Sequence, residues 1–158
     1  MHKTPNFTPH RSSSALATLR DLKAWMVENA CDFLSYQIDS AIIHEGFILA
    51  PVGSSFNWIY TERGIETVQK RFKSEAEAVS YAYEQIRGDG WACSHLIGFL
   101  REKTQLQALK LALQDRSIDY FEDAIPYGGR DDMRYRVFVH NACAAAVADL
   151  KEKYGGGA

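Results

Sequence analysis

The sequence predicts an α+β fold, in which a mainly antiparallel sheet, built from a meander and a C-terminal hairpin, packs against several helices. Strand-like and helix-like runs occur in blocks and do not alternate one by one, which disfavours a parallel βαβ sheet. The 158 residues, 46% of them hydrophobic, suffice to bury a core. We therefore expect a single domain over 13–154, with a flexible arm at 1–12 and a disordered tail at 155–158.

The N-terminal part of the domain is predicted to be a long helix. Residues 1–12 are interpreted as an arm because they contain two prolines and few apolar side chains. The helix is expected from about 14 to 35, with Ser12–Ser14 as candidate N-caps. Its apolar side chains recur at helical spacing: Leu16, Leu19, Leu22, Met26, Ala30 and Phe33. We expect this helix to lie across a sheet.

A meander is predicted between Ala41 and Phe72, where turn residues separate four short β-rich runs. The runs are AIIH, FILAPV, FNWIYTE and IETVQKRF. In the third run, Trp58, Tyr60 and Glu62 occupy alternate positions and therefore share one face of the sheet. Two large aromatic rings are thus expected side by side.

Helical spacing returns after the meander. A second helix is predicted over about 75–87, because Ser74 and Glu77 match a capping box and an apolar stripe follows. Ser94 is expected to open a third helix and Thr104 a fourth, with one bent helix as the alternative. These helices complete the layer that we expect over the sheet.

A hairpin is predicted from strands at about 117–125 and 133–140, on either side of a loop that contains Gly-Gly. Its core-facing side chains are expected to be Ile118, Phe121, Ile125, Val137 and Val139. A last helix is expected to follow, capped by Asn141.

Composition limits the possible partners and compartments. The chain has 18 basic and 20 acidic side chains and a formal net charge of −2, so global charge gives no reason to expect direct binding to nucleic acid or to a membrane. No apolar run approaches the length of about 20 residues needed to span a bilayer, and the N-terminus has no signal-peptide pattern. The cysteines are three and widely spaced, which favours reduced thiols. We expect a cytoplasmic protein.

The hairpin is the strongest candidate for a functional surface. Between Asp115 and His140, six carboxylates and four arginines are interspersed with tyrosines, a mixture that suits protein recognition better than catalysis. The partner-binding residues predicted there are Asp119, Glu122, Asp123, Tyr127, Arg130, Asp131 and Asp132. A second predicted patch consists of Trp58, Tyr60 and Glu62. Cross-strand ion pairs between the arginines and carboxylates are an equally favoured and compatible interpretation.

Two other functional classes are open. Cys143 and His140 stand three positions apart and could form a thiol-dependent active site, although a buried structural Cys143 is the favoured interpretation. Trp58 and Tyr60, with the basic N-terminal arm, could serve a nucleic-acid accessory module, although core packing of the rings is favoured. No spacing matches a metal or phosphate site, so we expect no cofactor and no enzymatic activity.

The runs NWIYTERG, FKSEAEAVSYAYEQI and YFEDAIPYGGRDDMRYRVFV resemble the small cytosolic immunity proteins of bacterial contact-dependent inhibition and related polymorphic-toxin systems. This resemblance covers about 40–140. It implies a non-enzymatic protein that binds the C-terminal domain of one cognate toxin, often a nuclease, and blocks or distorts its active site. The chain is less acidic than typical nuclease inhibitors.

Overall fold

The computed structural model describes residues 5, 7–39 and 43–156. Residues 7–39 and 43–93 form one compact unit, and Pro5 with residues 94–156 forms a second. Each unit contains one β-sheet and its own hydrophobic core. The predicted α+β fold, with a meander and a C-terminal hairpin, is confirmed.

The first unit contains two helices and a four-stranded sheet of order β1-β2-β3-β4. Its elements in chain order are α1 (Leu19–Glu28), β1 (Tyr36–Ile38), β2 (Glu45–Val52), β3 (Ser55–Glu62), β4 (Ile65–Phe72) and α2 (Glu75–Arg87). The strands β2, β3 and β4 form the predicted antiparallel meander. The short strand β1 pairs with β2 in parallel and was not predicted. The predicted AIIH strand lies partly outside the described residues, and Ile43 and His44 are not in a strand.

Helix α1 is much shorter than the predicted range of 14–35. It begins after Thr18, whose side chain forms a reciprocal capping box with Asp21, so the predicted serine caps are wrong. It ends at Glu28 with Asn29 as its C-cap, because Ala30 takes a left-handed conformation with φ of 52°. The apolar spacing continues beyond the helix because Leu16 and Phe33 pack against the same core from irregular segments.

Residues 7–12 of the predicted arm are attached to the first unit by hydrogen bonds. The Phe7 carbonyl accepts the N–H of Cys93 at 3.2 Å, and the His10 carbonyl accepts the indole N–H of Trp25 at 2.9 Å. The Ser12 N–H donates to the hydroxyl of Tyr83 at 2.9 Å. Residues 1–4 and 6 lie outside the described part of the chain.

The second unit contains the sheet that carries the predicted hairpin, in the antiparallel order β5-β7-β6. Its elements are β5 (Ser94–Leu100), α3 (Lys103–Asp115), β6 (Tyr120–Pro126), β7 (Met133–His140) and α4 (Ala148–Tyr154). Two 3₁₀ turns, Asn141–Cys143 and Ala145–Val147, precede α4. The core combines side chains from the sheet and both helices: Ile97, Leu109, Leu113, Val137, Val139 and Leu150.

Two predictions about this unit are wrong. The helix expected from Ser94 is the strand β5, and its ladder with β7 shifts register between Leu96 and Gly98. The last helix does not begin at Asn141, because His140 caps a 3₁₀ turn and α4 starts only at Ala148. Of the predicted tail, Gly155 and Gly156 are described and the last two residues are not. None of the helices in the described ranges has the length and apolar character that a membrane span requires.

Candidate functional site

The hairpin β6–β7 has one face in the core of the second unit and one face directed away from that core. The register pairs Glu122 with Val137 and Asp123 with Arg136. Val137 and Val139 are fully buried in the core formed with α3 and α4. Because side chains alternate along a strand, Asp123 and Arg136 lie on the opposite face. Phe121 and Ile125, predicted for the core, are only half-buried on that opposite face.

Asp123 and Arg136 form a two-pronged ion pair on this face. The guanidinium Nε and Nη2 of Arg136 donate to the two carboxylate oxygens of Asp123 at 2.8 and 2.5 Å. Hydrogen bonding to Asp123 raises the pKa of Arg136. The predicted cross-strand pairing is therefore present at this position, and it uses one carboxylate of the predicted binding surface.

Asp132 is held at the base of the hairpin loop by two arginines. It pairs with Arg134, and Arg101 Nε lies 3.6 Å from the same carboxylate oxygen. Its backbone also closes the loop, because the Asp132 carbonyl accepts the N–H of Tyr127 at 2.9 Å and its N–H donates to the Gly129 carbonyl at 3.1 Å. These contacts make Asp132 a structural residue of the loop.

Two glycines allow the loop to close around Asp132. A β-carbon on Gly128 would stand 2.5 Å from a carboxylate oxygen of Asp132, and Gly129 takes φ of 119°. Any larger residue at Gly128 would push Asp132 away, and a side chain at Gly129 would be strained. The Gly-Gly pair therefore shapes the loop for geometric reasons.

Tyr127 is the most exposed aromatic side chain of the hairpin, with 66% of its surface open to solvent. Its ring is nevertheless supported on two sides. Phe99 of β5 contacts it edge-to-face with centroids 5.3 Å apart, and the guanidinium of Arg134 lies 5.0 Å from its centroid. An exposed ring with a fixed orientation can bind a partner with little loss of side-chain entropy.

The other predicted charges divide into two groups. Glu122 lies 3.0 Å from the ammonium of Lys110 on α3, and hydrogen bonding to Glu122 raises the pKa of Lys110. Asp119, Arg130 and Asp131 are exposed and take part in no ion pair within the described ranges. The surface is therefore a tyrosine flanked by a few charges of both signs, and not a uniform acidic patch.

The second predicted patch lies in the first unit and is mostly structural. Trp58 is only 3% exposed and stacks on Phe47 with centroids 5.1 Å apart, so a partner cannot reach its ring. Tyr60 is half-buried and its hydroxyl contacts Glu45 at 3.4 Å. Glu62 is exposed at the end of β3. The favoured interpretation of Trp58 as a core residue agrees with this geometry.

In the alternative thiol site, one ring nitrogen of His140 is used in a backbone cap. Nδ1 of His140 accepts the N–H of Ala142 at 3.0 Å, so this nitrogen is occupied by a structural cap and cannot take a proton from Cys143. Cys143 packs against the core of the second unit but is half-buried and not fully buried as expected. Among the described residues, no group of three or more His, Cys, Asp or Glu side chains is placed to hold a metal ion.

Sequence reasoning missed the residues that support the hairpin from outside it. Phe99 and Arg101 brace Tyr127 and Asp132, but the prediction placed 94–100 in a helix. Lys110 of α3 was not connected with Glu122 because their positions in the sequence carry no pairing pattern.

Comparison of the chain with protein-family models, curated proteins and solved structures gives no match.

Proposed function

We propose that the chain is a non-enzymatic immunity protein, which binds and neutralises the C-terminal domain of a cognate bacterial toxin in the cytoplasm. The proposal follows the resemblance to immunity proteins of contact-dependent inhibition and polymorphic-toxin systems. The structural support is the hairpin loop, which presents exposed recognition residues on a braced backbone. The contact surface that we propose, called the hairpin tip below, consists of Tyr127, Arg130 and Asp131.

The observation that carries the proposal is the combination of exposure and support at Tyr127. Its ring is 66% exposed and yet contacts Phe99 and Arg134. Tyrosine and arginine are over-represented among residues that dominate binding energy at protein interfaces. A large, oriented ring beside an exposed cation and an exposed anion fits a pocket on another protein better than a small-molecule substrate.

The charges at the tip suggest how the toxin would be engaged. Asp131 and Asp119 are exposed carboxylates outside the ion pairs of the described residues. A toxin that cleaves nucleic acid holds phosphates in a basic cleft, and a carboxylate inserted there competes with substrate. In this proposal Tyr127 anchors the complex and Asp131 faces the basic cleft, while Asp132 keeps the loop in shape.

The test uses the gene next to this one, where a polymorphic-toxin system would encode a large secreted protein with a variable C-terminal domain. That domain is expressed in a bacterial host with and without the full chain, and growth is measured. Binding of the purified proteins is then titrated for the parent, Tyr127→Ala and Asp131→Ala, with Glu152→Ala on α4 as an exposed control. We expect the chain to restore growth, and we expect Tyr127→Ala to weaken binding by about 2 kcal/mol or more.

The outcomes separate the proposal from its rivals. If the tip variants keep the melting temperature of the parent, any loss of affinity comes from the changed surface and not from unfolding. Toxicity that the chain does not relieve would overturn the proposed function. Binding that is strong but insensitive to both tip variants would overturn the assignment of the hairpin tip and leave the function in place.

A further inference from the structure

Cys31 and Cys93 are far apart in the sequence but adjacent in the first unit. The residue after Cys31 and the residue before Cys93 share a backbone hydrogen bond, in which the Asp32 N–H donates to the Ala92 carbonyl at 2.7 Å. The Cys31 N–H donates to the Met26 carbonyl at 2.9 Å, which fixes the chain where it leaves α1. Both cysteines are therefore held in place by their backbones.

Both thiols lie inside the core of the first unit. Cys31 is 3% exposed and Cys93 is 0% exposed, and both belong to one hydrophobic cluster. The Cys93 thiol also donates to the Asn29 carbonyl at 3.3 Å. Bridged cysteines need Cα atoms about 4.4–6.8 Å apart, and segments joined by a backbone hydrogen bond lie at such a separation.

We propose that Cys31 and Cys93 are a redox pair, which a low-molecular-weight disulfide such as oxidised glutathione converts into an intramolecular disulfide bond. The bond would tie the segment after α1 to the segment before β5 within the first unit. Cys143 is half-buried against the core of the second unit and is not part of the pair. This inference is independent of the proposed function.

The reaction is a double thiol–disulfide exchange. The Cys93 thiol first loses its proton to solvent, and the thiolate attacks one sulfur of oxidised glutathione. The glutathione disulfide bond breaks as a mixed disulfide forms on Cys93, and the departing glutathione thiolate takes up a proton from solvent. The Cys31 thiol then loses its proton and its sulfur attacks the Cys93 sulfur, which releases the second glutathione. The two protein thiols are oxidised, and one molecule of oxidised glutathione is reduced to two of glutathione.

The two thiols differ in their electrostatic surroundings in the closed protein. The hydrogen bond from Cys31 lowers the pKa of Cys93, because it stabilises the Cys93 thiolate. The same contact, together with burial, raises the pKa of Cys31. Because both sulfurs are buried, the reaction requires local opening that exposes Cys93 to glutathione, and we expect it to be slow in the native protein.

The test uses the reduced full chain, equilibrated in buffers that span a wide range of oxidised to reduced glutathione. Samples are quenched with acid and alkylated, and their peptides are mapped by mass spectrometry. We expect a linked peptide that joins Cys31 to Cys93, with Cys143 recovered alkylated or glutathionylated. We also expect an upward shift of the melting temperature that a reductant reverses, and Cys143→Ser should behave like the parent.

Two results would overturn the proposal. One is recovery of Cys31 and Cys93 as alkylated thiols at the most oxidising ratio. The other is a linked peptide that pairs either residue with Cys143. Cys31→Ser provides a further check, since it should abolish both the linked peptide and the reversible shift. If that variant fails to fold, the peptide map of the parent protein decides alone.

Discussion

Arg136 binds both carboxylate oxygens of Asp123 across the hairpin, with nitrogen–oxygen distances of 2.8 and 2.5 Å. The guanidinium also lies 5.1 Å from the centroid of the Phe138 ring, on the same face of the sheet. A carboxylate in this position cannot act as a free charge toward a partner without first losing Arg136. Asp123 and Arg136 are therefore structural charges of the hairpin, in contrast to the exposed charges at its tip.

The Asp123–Arg136 pair should contribute measurably to stability because its side chains are only 24% and 26% exposed. A double-mutant cycle with Asp123→Asn and Arg136→Gln, measured by urea unfolding, should give a coupling energy of about 1–2 kcal/mol. The ion pair between Arg11 and Glu84 is a control, because its nitrogen–oxygen distance is 3.9 Å and both side chains are mostly exposed. Its coupling energy should be about 0–0.5 kcal/mol. Equal coupling in both cycles would contradict this prediction.

The stabilisation that the Asp149–Arg116 ion pair gives the folded protein should be lost in acid. Hydrogen bonds from Arg116, at 2.8 and 2.6 Å, lower the pKa of Asp149 from 3.8 to about 2. A lowered folded-state pKa gives stabilisation that is complete above the unfolded value and is lost as pH falls through the folded value. We therefore expect the difference in melting temperature between the parent and Asp149→Asn to be constant above about pH 5 and to shrink toward pH 2. A pH-independent difference would rule out this contribution.

Gly98 should tolerate no side chain without a loss of stability. A β-carbon there would stand 2.6 Å from Cδ2 of Leu109 and 3.3 Å from Cβ of Val137, and both neighbours are fully buried. Gly98→Ala should lower the free energy of unfolding by about 1–3 kcal/mol, whereas Gly156→Ala, which meets open space, should not. The penalty of Gly98→Ala should be smaller in a Leu109→Ala background. Full additivity of the two changes would show that the clash does not occur.

Inhibition should not depend on the alternative thiol site. Because His140 Nδ1 accepts a backbone N–H and Cys143 is half-buried against a core, the double variant His140→Ala, Cys143→Ala should retain full activity in the growth assay. Circular dichroism of the variant provides the control for folding. A folded but inactive double variant would favour a thiol-dependent enzyme.

The strand β5 shows where sequence periodicity gives the wrong element. Ile97 and Leu100 are three positions apart and both lie in the core of the second unit, which is the spacing of a helix face. The β-bulge between Leu96 and Gly98 produces this spacing in a strand, because it adds one residue and reverses the alternation. The bulge depends on the pairing with β7, so a local pattern could not reveal it.

The meander and the hairpin were predictable because their turns and alternation are local features. The strands β3 and β7 match the predicted runs closely. The ion pairs of the charged residues on the hairpin were only partly predictable. Asp123 faces Arg136 through the strand register, whereas Glu122 meets Lys110 from another element. The proximity of Cys31 and Cys93 depends on a backbone hydrogen bond between two distant segments, and no local sequence pattern indicates it.

The hairpin loop contains positions that must be kept for its shape and positions that can be changed without affecting that shape. Gly128, Gly129 and Asp132 keep the loop closed, whereas Tyr127 and Asp131 belong to neither hydrophobic core. A combinatorial library that varies Tyr127, Arg130 and Asp131 and preserves the other three positions should therefore consist largely of folded proteins with new specificities. In the function that we propose, natural divergence can follow the same route, since a few exchanges at the tip would change the partner without altering the scaffold.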